Sequence, residues 1–211
     1  MKTKFQFRLT PAVSALSAAA ATNFSSHCLV LGCALAITLP SAQAVEFNQV
    51  QLNKSVLSFV SKQMNVPVEG QFKSFRSKLA FDPVKPAAAK AELEIDLASI
   101  DAGSKDANDE VAGKAWFNTR EFPIAKFVST SVKALGGNRF EVTGKMTIKG
   151  RTQDLTTPVT LHQEGNSAIF EGSLLLKRAD YAIGEGMWAD FGTVANEVQV
   201  KFRLVATAAA K

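Results

Sequence analysis

The sequence predicts an all-β fold in which antiparallel strands follow one another around a barrel, with one short helix. Three observations predict it. Apolar and polar residues alternate with a period of two over most of the chain after residue 44. Turns rich in Gly and Asn separate the alternating runs, and only one stretch has a helical pattern. We expect about eight strands in an up-and-down barrel that is wide enough for one small ligand. A two-sheet sandwich would show the same alternation.

Each alternating run predicts a strand with one apolar and one polar face. The last run is typical: Val198, Val200 and Phe202 alternate with Gln199 and Lys201. Because neighbouring side chains point to opposite faces, Met146 and Phe202 should point into the barrel, and Lys145 and Lys201 should point outward. The runs that show the pattern most clearly are 90–97, 140–149, 168–176 and 198–206.

Short turns and one bend organise these strands. The hairpin signals are Gly136-Gly137-Asn138, Lys149-Gly150-Arg151 and Glu164-Gly165-Asn166. The apolar parity shifts by one residue between Phe72 and Phe75, which predicts a bulge or sharp bend near Ser74. The helical stretch is Ser104 to Ala115, with Ser104 as a capping candidate, and we expect it to form a lid or plug.

Residues 1–44 are predicted to be a secretory signal peptide, and residues 45–211 the folded domain. The segment carries Lys2, Lys4 and Arg8, then an apolar run from Cys28 to Leu39, and ends at Ala42-Gln43-Ala44. This order is typical of a cleaved signal peptide, and the run is shorter than the roughly 20 residues that span a bilayer. We expect export to the periplasm and cleavage after Ala44. Lipoprotein processing at Cys33 and a true start downstream of Met1 are the alternatives.

The remaining composition argues against several function classes. Cleavage after Ala44 would remove both cysteines, so no thiol or disulfide would remain. His162 would be the single histidine, expected to face water, and one histidine without cysteine does not make a zinc site. The chain has no G-x-S-x-G nucleophile motif. The net charge of +5 falls when the basic N-terminus is removed, and no clustered basic face indicates nucleic acid as a partner.

Two charged groups allow both a structural and a functional interpretation. Glu92, Glu94 and Asp96 share one strand face, and their alternation with leucine and isoleucine places them outside the barrel. Arg178 and Asp180 lie in a compact element beside a Gly-rich turn. They would either pair and fix the end of the barrel, or Arg178 would contact an anionic headgroup.

Aromatic and methionine side chains predict the ligand site. Inward Gly144, Gly172 and Ala206 should leave space beside Met146 and Met187, which would form adaptable walls. We expect the cavity to open near Trp116, Phe117 and Trp188. The predicted ligand-contacting residues are Phe59, Met64, Phe72, Trp116, Phe117, Phe127, Met146, Ile148, Arg178, Tyr181, Trp188 and Phe202.

Three motifs carry a family resemblance that extends over the chain after residue 44. They are Gly70-Gln71-Phe72 followed by Phe81-Asp82-Pro83, the turn from Gly144 to Thr152, and Arg178-Ala179-Asp180-Tyr181 with Gly184. With them the chain resembles the YceI-like, polyisoprenoid-binding proteins, which have a lipocalin-like barrel. The resemblance implies an exported protein that holds an apolar isoprenoid lipid, such as a polyprenyl phosphate or a quinone.

The resulting functional prediction is a carrier of a long apolar lipid, with no cofactor of its own and no catalytic residues. A lipid tail in a bilayer is already out of water, so its transfer from the membrane into the protein gains little free energy. Specificity would therefore depend on pocket shape and headgroup contacts. Transient membrane contact and a homodimer are both compatible with this role. The alternatives are an exported enzyme or enzyme inhibitor on a barrel scaffold, or a structural stress protein without ligand.

Overall fold

The computed structural model describes residues 45–208, so the predicted signal peptide and its cleavage site lie outside the described residues. Within this range the chain forms eleven strands and one α-helix, α1 (Lys105–Ala112). The strands are β1 (Phe47–Val50), β2 (Val56–Gln63), β3 (Val66–Phe72), β4 (Phe75–Ala80), β5 (Lys90–Asp96), β6 (Ile100–Asp101), β7 (Ile124–Gly136), β8 (Arg139–Ile148), β9 (Arg151–Glu164), β10 (Ser167–Lys177) and β11 (Glu197–Ala208).

The strands form one curled antiparallel sheet, as the sequence predicts. Its order is β4-β5-β7-β8-β9-β10-β11-β2-β3-β6, and β1 pairs with β11 beside β2. Strands β7 to β11 are consecutive neighbours, which is the predicted meander. The expected count of about eight is too low because three strands are interrupted. A 3₁₀ turn at Leu52–Lys54 separates β1 from β2, a bend separates β3 from β4, and a 3₁₀ turn at Leu97–Ser99 separates β5 from β6.

The curled sheet meets itself at one end through β1. Phe47 N donates to Phe81 O over 2.8 Å, and Phe81 N donates to Phe47 O over 3.1 Å. The same strand pairs with the last residues of β11, so it connects β11 to the chain that follows β4. Toward the other end, β2, β3 and β6 continue the sheet beyond β11, and α1 lies in the connection from β6 to β7.

The predicted turns, bend and helix are present, but the helix ends at Ala112, before the C-cap Gly113, and not at the predicted Ala115. Gly137, Gly150 and Gly165 lie in the three predicted hairpin turns and have φ of +60°, +72° and +59°, a region that favours glycine. The bend falls at Lys73 and Ser74, between β3 and β4. Helix α1 begins after Ser104, whose hydroxyl accepts a hydrogen bond from Ala107 N at 3.1 Å, as an N-cap should.

Alternation along the strands also gives the predicted faces. Met146 is 8% exposed and belongs to the core, while Lys145 on the same strand is exposed and pairs with Asp154 at 2.8 Å. Phe202 packs against the core, and Lys201 is exposed. His162 faces solvent, 3.8 Å from the Glu171 carboxylate.

The carboxylates of β5 lie on the outer face, as expected. Lys126 on β7 forms ion pairs with both Glu92 and Glu94, and Lys78 on β4 lies 3.7 Å from Glu92. The hydrogen bond from Lys126 holds the pKa of Glu92 below its ordinary value, and that bond raises the pKa of Lys126. These four side chains form a network of ion pairs across β4, β5 and β7.

No helix within residues 45–208 is long and apolar enough to cross a membrane.

Candidate binding cavity

The interior of the curled sheet contains two adjoining apolar cavities. The larger, here the helix-side cavity, has a volume of about 470 Å³ and is lined by α1, the segment after it and the connection from β10 to β11. The smaller, the closed-end cavity, has a volume of about 130 Å³ and is lined by Phe81, Phe140 and Phe170 among others. Ligand cavities of proteins have volumes of about 300–1,000 Å³, so the helix-side cavity is of ligand size.

A thin layer of side chains separates the two cavities. Leu57, Ile95, Met146 and Val200 line both of them. Met146 is the flexible member of this layer, because its unbranched side chain can change rotamer at little cost. A linear apolar molecule that fills the helix-side cavity would therefore meet Met146 before it reached the closed end.

Most of the predicted ligand-contacting residues line these cavities. Phe127 and Phe202 line the closed-end cavity, and Met146 lines both. The other seven line the helix-side cavity: Phe59, Phe72, Trp116, Phe117, Ile148, Arg178 and Trp188. These residues fall into two groups. Some point inward from a strand, and the others lie in the two segments that cover the helix-side cavity, namely the segment after α1 and the connection from β10 to β11.

Three predicted positions lie elsewhere. Met64 is 71% exposed, because it has φ of +48° in the tight turn between β2 and β3 and so leaves the inward face. Met187, expected as a wall, is 84% exposed within a 3₁₀ turn. Tyr181 is buried in the core but is absent from both cavity linings. Burial, with a smaller contribution from the Asp180 charge, raises the pKa of Tyr181 to about 12.

The inward glycines do not leave the expected space. A Cβ at Gly172 would lie 2.3 Å from Phe202 Cζ, and one at Gly144 would lie 2.4 Å from Phe127 Cζ. Gly70 has the same relation to Phe59, at 2.2 Å. In each case an aromatic ring from the neighbouring strand covers the glycine, which is how edge and curved sheets commonly use glycine. The rings therefore form the cavity walls, and the glycines let them lie against the sheet.

Arg178 organises the connection from β10 to β11, but not by the predicted pairing with Asp180. It is 2% exposed, and among residues 45–208 no carboxylate forms an ion pair with it. All five of its N–H donors instead reach backbone carbonyls at 2.7–3.1 Å. The acceptors are Ile183, Gly184, Trp188, Val194 and Ala195.

The Arg178 guanidinium also lies close to two aromatic rings. Its central carbon lies 5.6 Å from the Trp116 ring centroid and 5.3 Å from that of Phe191, within cation–π range. Desolvation by burial lowers the pKa of Arg178. Gly184, with φ of +76°, allows this approach, because a Cβ there would lie 2.1 Å from Arg178 Nη1. Arg178 thus fixes the wall of the helix-side cavity and keeps no N–H for a ligand.

Polar contacts hold the covering segments in place. Trp188 Nε1 donates to Glu110 Oε1 on α1 at 2.7 Å, and the two indole rings of Trp116 and Trp188 are 5.6 Å apart. Lys149 donates to the Glu185 carboxylate at 2.8 Å, which holds the pKa of Glu185 below its usual value. Glu110 is exposed although it lines the cavity, so we infer that the cavity opens beside it.

Several residues that line the helix-side cavity are not among those that the sequence predicts. Leu57 and Ser61 share the inward parity of Phe59 on β2, so the period-two pattern contained the signal. Glu110 could not be found this way. It adjoins the apolar pair Ala107 and Val111 on α1, but its role depends on Trp188, which is far away in the sequence.

The helix-side cavity offers few polar groups. Residues 45–208 hold no group of three or more His, Cys, Asp or Glu side chains placed to bind a metal ion. The helix-side cavity is lined mainly by aliphatic and aromatic groups, with Ser61, Gln63, Glu110 and Arg178 as its polar side chains besides the two indoles. Such a lining suits an apolar molecule with a small polar end.

The fold is a lipocalin-like antiparallel β-barrel that encloses an apolar cavity. Residues 49–206 match the YceI-like domain, so the chain belongs to the YceI-like family. The chain is 29% identical over 137 residues to a UPF0312 protein of Azotobacter vinelandii, a match that covers 62% of this chain and 69% of the relative. For a UPF0312 protein of Pseudomonas syringae pv. tomato the identity is 31%, with 55% of this chain and 64% of the relative covered.

Solved structures agree with this assignment. BcnA of Burkholderia cenocepacia is 51% identical, with a TM-score of 0.74, covering 75% of this chain and 100% of BcnA. A polyisoprenoid-binding domain of Saccharophagus degradans, implicated in plant cell wall breakdown, is 19% identical with a TM-score of 0.62. That match covers 79% of this chain and 100% of the domain, and it supports the fold.

Proposed function

We propose that this protein is a periplasmic carrier of an isoprenoid lipid, whose apolar tail it holds inside the barrel, and that it is not an enzyme. The observation that carries the proposal is the helix-side cavity of about 470 Å³, which a layer of side chains including Met146 separates from the closed-end cavity. Membership of the YceI-like family and the similarity to the polyisoprenoid-binding domain of Saccharophagus degradans support an isoprenoid as the ligand.

A binding test follows directly from the two tryptophans, since both line the helix-side cavity. Titration of the purified protein with decylubiquinone should quench their fluorescence with saturation. Native mass spectrometry of protein purified without detergent should show a lipid adduct. If neither a co-purified lipid nor added prenyl lipids bind, the carrier function is wrong.

Export is the second part of the proposal. The basic start, the apolar run and the Ala42-Gln43-Ala44 triplet of the N-terminal segment support it. The intact mass of protein from a periplasmic fraction should correspond to a chain that begins at Val45. A mass that retains residues 1–44, or a lipid on Cys33, would contradict cleavage after Ala44.

Transient membrane contact is the third part. Met64, Met187 and Phe191 are 71%, 84% and 50% exposed, and Met64 N donates to Thr193 O at 2.9 Å, which joins the two loops that carry them. Met64 and Met187 adjoin the cavity-lining Gln63 and Trp188 in the chain.

Replacement of Met64 and Met187 by serine should weaken sedimentation of the protein with phosphatidylglycerol vesicles. The matched control is Leu175→Ser, which removes an apolar side chain that is 65% exposed on β10. Equal losses in both proteins would argue against this surface. A homodimer stays a prediction.

A further inference from the structure

Helix α1 is held loosely against the rest of the molecule. Each of its eight residues is at least partly exposed, although three of them line the helix-side cavity. Within residues 45–208, its hydrogen bonds join it to residues 102–119, with one exception, the bond from Trp188 Nε1 to Glu110 Oε1 at 2.7 Å. A segment with few buried contacts opens at a lower free-energy cost than a core strand. Local opening of α1 therefore costs less than unfolding of the strands that line the same cavity.

The chain on either side of α1 allows such an opening. Gly103 precedes the helix, is exposed and has φ of +94°, a conformation that glycine adopts readily. Gly113 caps the other end of the helix. Small residues at the ends of an element commonly absorb the backbone change of a hinge. The residues after Gly113 stay in the wall, since Trp116 and Phe117 pack against the core and the Phe117 ring lies 6.2 Å from that of Phe72.

Beside α1, the edge of β3 provides a place for an entrance. Strand β3 pairs with β2 from Val66 to Phe72, but on its other edge it pairs with β6 only at Gln71 and Phe72. Within the described part of the chain, Val66–Gly70 therefore has a strand partner on one side only. Val68 lines the helix-side cavity from this edge, and α1 continues the lining. Movement of α1 away from β3 would open the cavity to the outside without breaking any pairing of the sheet.

We propose that α1 is a lid on the helix-side cavity, that the lipid enters between α1 and the unpaired edge of β3, and that the hydrogen bond from Trp188 to Glu110 holds the lid closed. This inference rests on the proposed carrier function and adds the route of entry. Trp188 lies in the connection that Arg178 fixes, since Arg178 Nη2 donates to Trp188 O at 2.7 Å. The bond to Glu110 thus joins a movable element to a fixed one.

The two residues act on the lid, so they are positioning residues. The bond closes the lid over the empty and the filled cavity alike. Its loss should therefore speed entry and release of the lipid by the same factor and leave the affinity unchanged. A residue that contacted the ligand would change the affinity instead.

The test compares Glu110→Ala with Asp109→Ala. Both substitutions remove one carboxylate from α1 and introduce the same residue, but Asp109 forms an exposed ion pair with Lys105 on the same helix. Stopped-flow quenching of tryptophan fluorescence by decylubiquinone gives the rates. In Glu110→Ala the association and dissociation rates should both rise about tenfold, the effect of one net hydrogen bond, and the Kd should stay the same. Asp109→Ala should have the rates of the wild type.

Two further measurements separate the lid from other roles of Glu110. Trp188→Phe keeps an aromatic ring in the wall and removes the N–H, so it should speed both rates, and combination with Glu110→Ala should add nothing. In the ligand-free protein, the backbone N–H groups of α1 should exchange with solvent about tenfold faster in Glu110→Ala than in Asp109→Ala, and those of β8 should not change.

Equal rates in Glu110→Ala and Asp109→Ala would overturn the inference. A changed Kd without faster association would also overturn it, because Glu110 would then be a ligand contact. Either result, with decylubiquinone bound by the wild type, would leave the carrier function standing. Failure of the wild type to bind any prenyl lipid would remove both.

Discussion

At the scale of single residues, Arg178 shows how a buried charge can organise a loop without a counter-ion. Its guanidinium is 2% exposed and surrounded by carbonyl oxygens and two aromatic rings. Burial of an ion without such contacts would cost several kcal/mol. The carbonyls accept all its donors, and in return the arginine satisfies carbonyls that the irregular loop leaves without strand partners.

Replacement of Arg178 should therefore destabilise the protein strongly. Arg178→Met would leave five carbonyl acceptors without their donors, and we expect the free energy of unfolding to fall by at least about 3 kcal/mol. Urea denaturation measures this. Arg203→Met is the control, because Arg203 forms an exposed ion pair with Glu171 at 3.3 Å and should change stability by less than about 1 kcal/mol. Similar losses in both variants would contradict the interpretation.

Tyr181 predicts a dependence of stability on alkaline pH. Its folded-state pKa of about 12 lies above its ordinary value of 10.0. A group whose pKa is raised by folding contributes stability below its unfolded pKa and loses that contribution as the pH rises. The wild type should therefore lose stability between pH 10 and 12 relative to Tyr181→Phe. Denaturant melts of both proteins at pH 9, 10 and 11 test this, and parallel curves would show that Tyr181 does not titrate as expected.

At the scale of elements, pairs of aromatic rings and glycines shape the cavity wall. Gly172 on β10 lies directly opposite Phe202 on β11 in the register of the sheet. Gly70 on β3 has the same relation to Phe59 on β2. Each ring can lie over a glycine because glycine has no side chain. A larger residue at the glycine position would occupy the space that the ring takes. Such pairing gives the sheet an apolar inner surface at two positions while it keeps the cavity open.

Gly172→Ala should disturb this pairing. The new Cβ would lie 2.3 Å from Phe202 Cζ and 2.8 Å from Pro158 O, so we expect a loss of about 1–3 kcal/mol in the free energy of unfolding. Phe202→Leu in the same protein should recover part of that loss, because the shorter side chain makes room. Denaturation of both single variants and the double variant gives the coupling. Strictly additive losses would mean that the ring and the glycine do not interact.

At the scale of the whole molecule, the two ends of the barrel have different roles. One end is joined through β1 by the reciprocal bond between Phe47 and Phe81 and is packed with aromatic residues. The other is covered by α1 and by the connection that Arg178 organises. The cavity lies between them, and Met146 stands where its two parts meet.

This arrangement predicts that a long tail passes Met146 to reach the closed-end cavity, so an aromatic ring at this position should block it. Met146→Phe should reduce the affinity for a quinone with a long isoprenoid tail at least tenfold and leave decylubiquinone binding nearly unchanged. Stability should change by less than about 1.5 kcal/mol, because the swap keeps an apolar side chain of similar size. Leu175→Phe, on the exposed face of β10, is the matched control. Equal binding of both quinones by wild type and variant would mean that tails do not pass Met146.

Much of the fold could be predicted because it follows from local patterns. The period of two along β8 and β11 determines which side chains point inward, and the glycine turns determine which strands are neighbours. For that reason Met146 and Phe202 were placed correctly. Met64 was not, because the two-residue turn at Met64 and Asn65 breaks the alternation, and the sequence alone did not mark it as a turn.

By itself, then, the sequence determined the antiparallel barrel, its inward residues, the short capped helix and the family, since each depends on residues close together in the chain. Only the tertiary structure decided how distant residues meet. It placed phenylalanine rings over the glycines that were expected to leave space, and it gave Arg178 backbone carbonyls in place of Asp180. The physical reason is that hydrogen bonding and close packing depend on three-dimensional proximity, which the period of a strand does not encode.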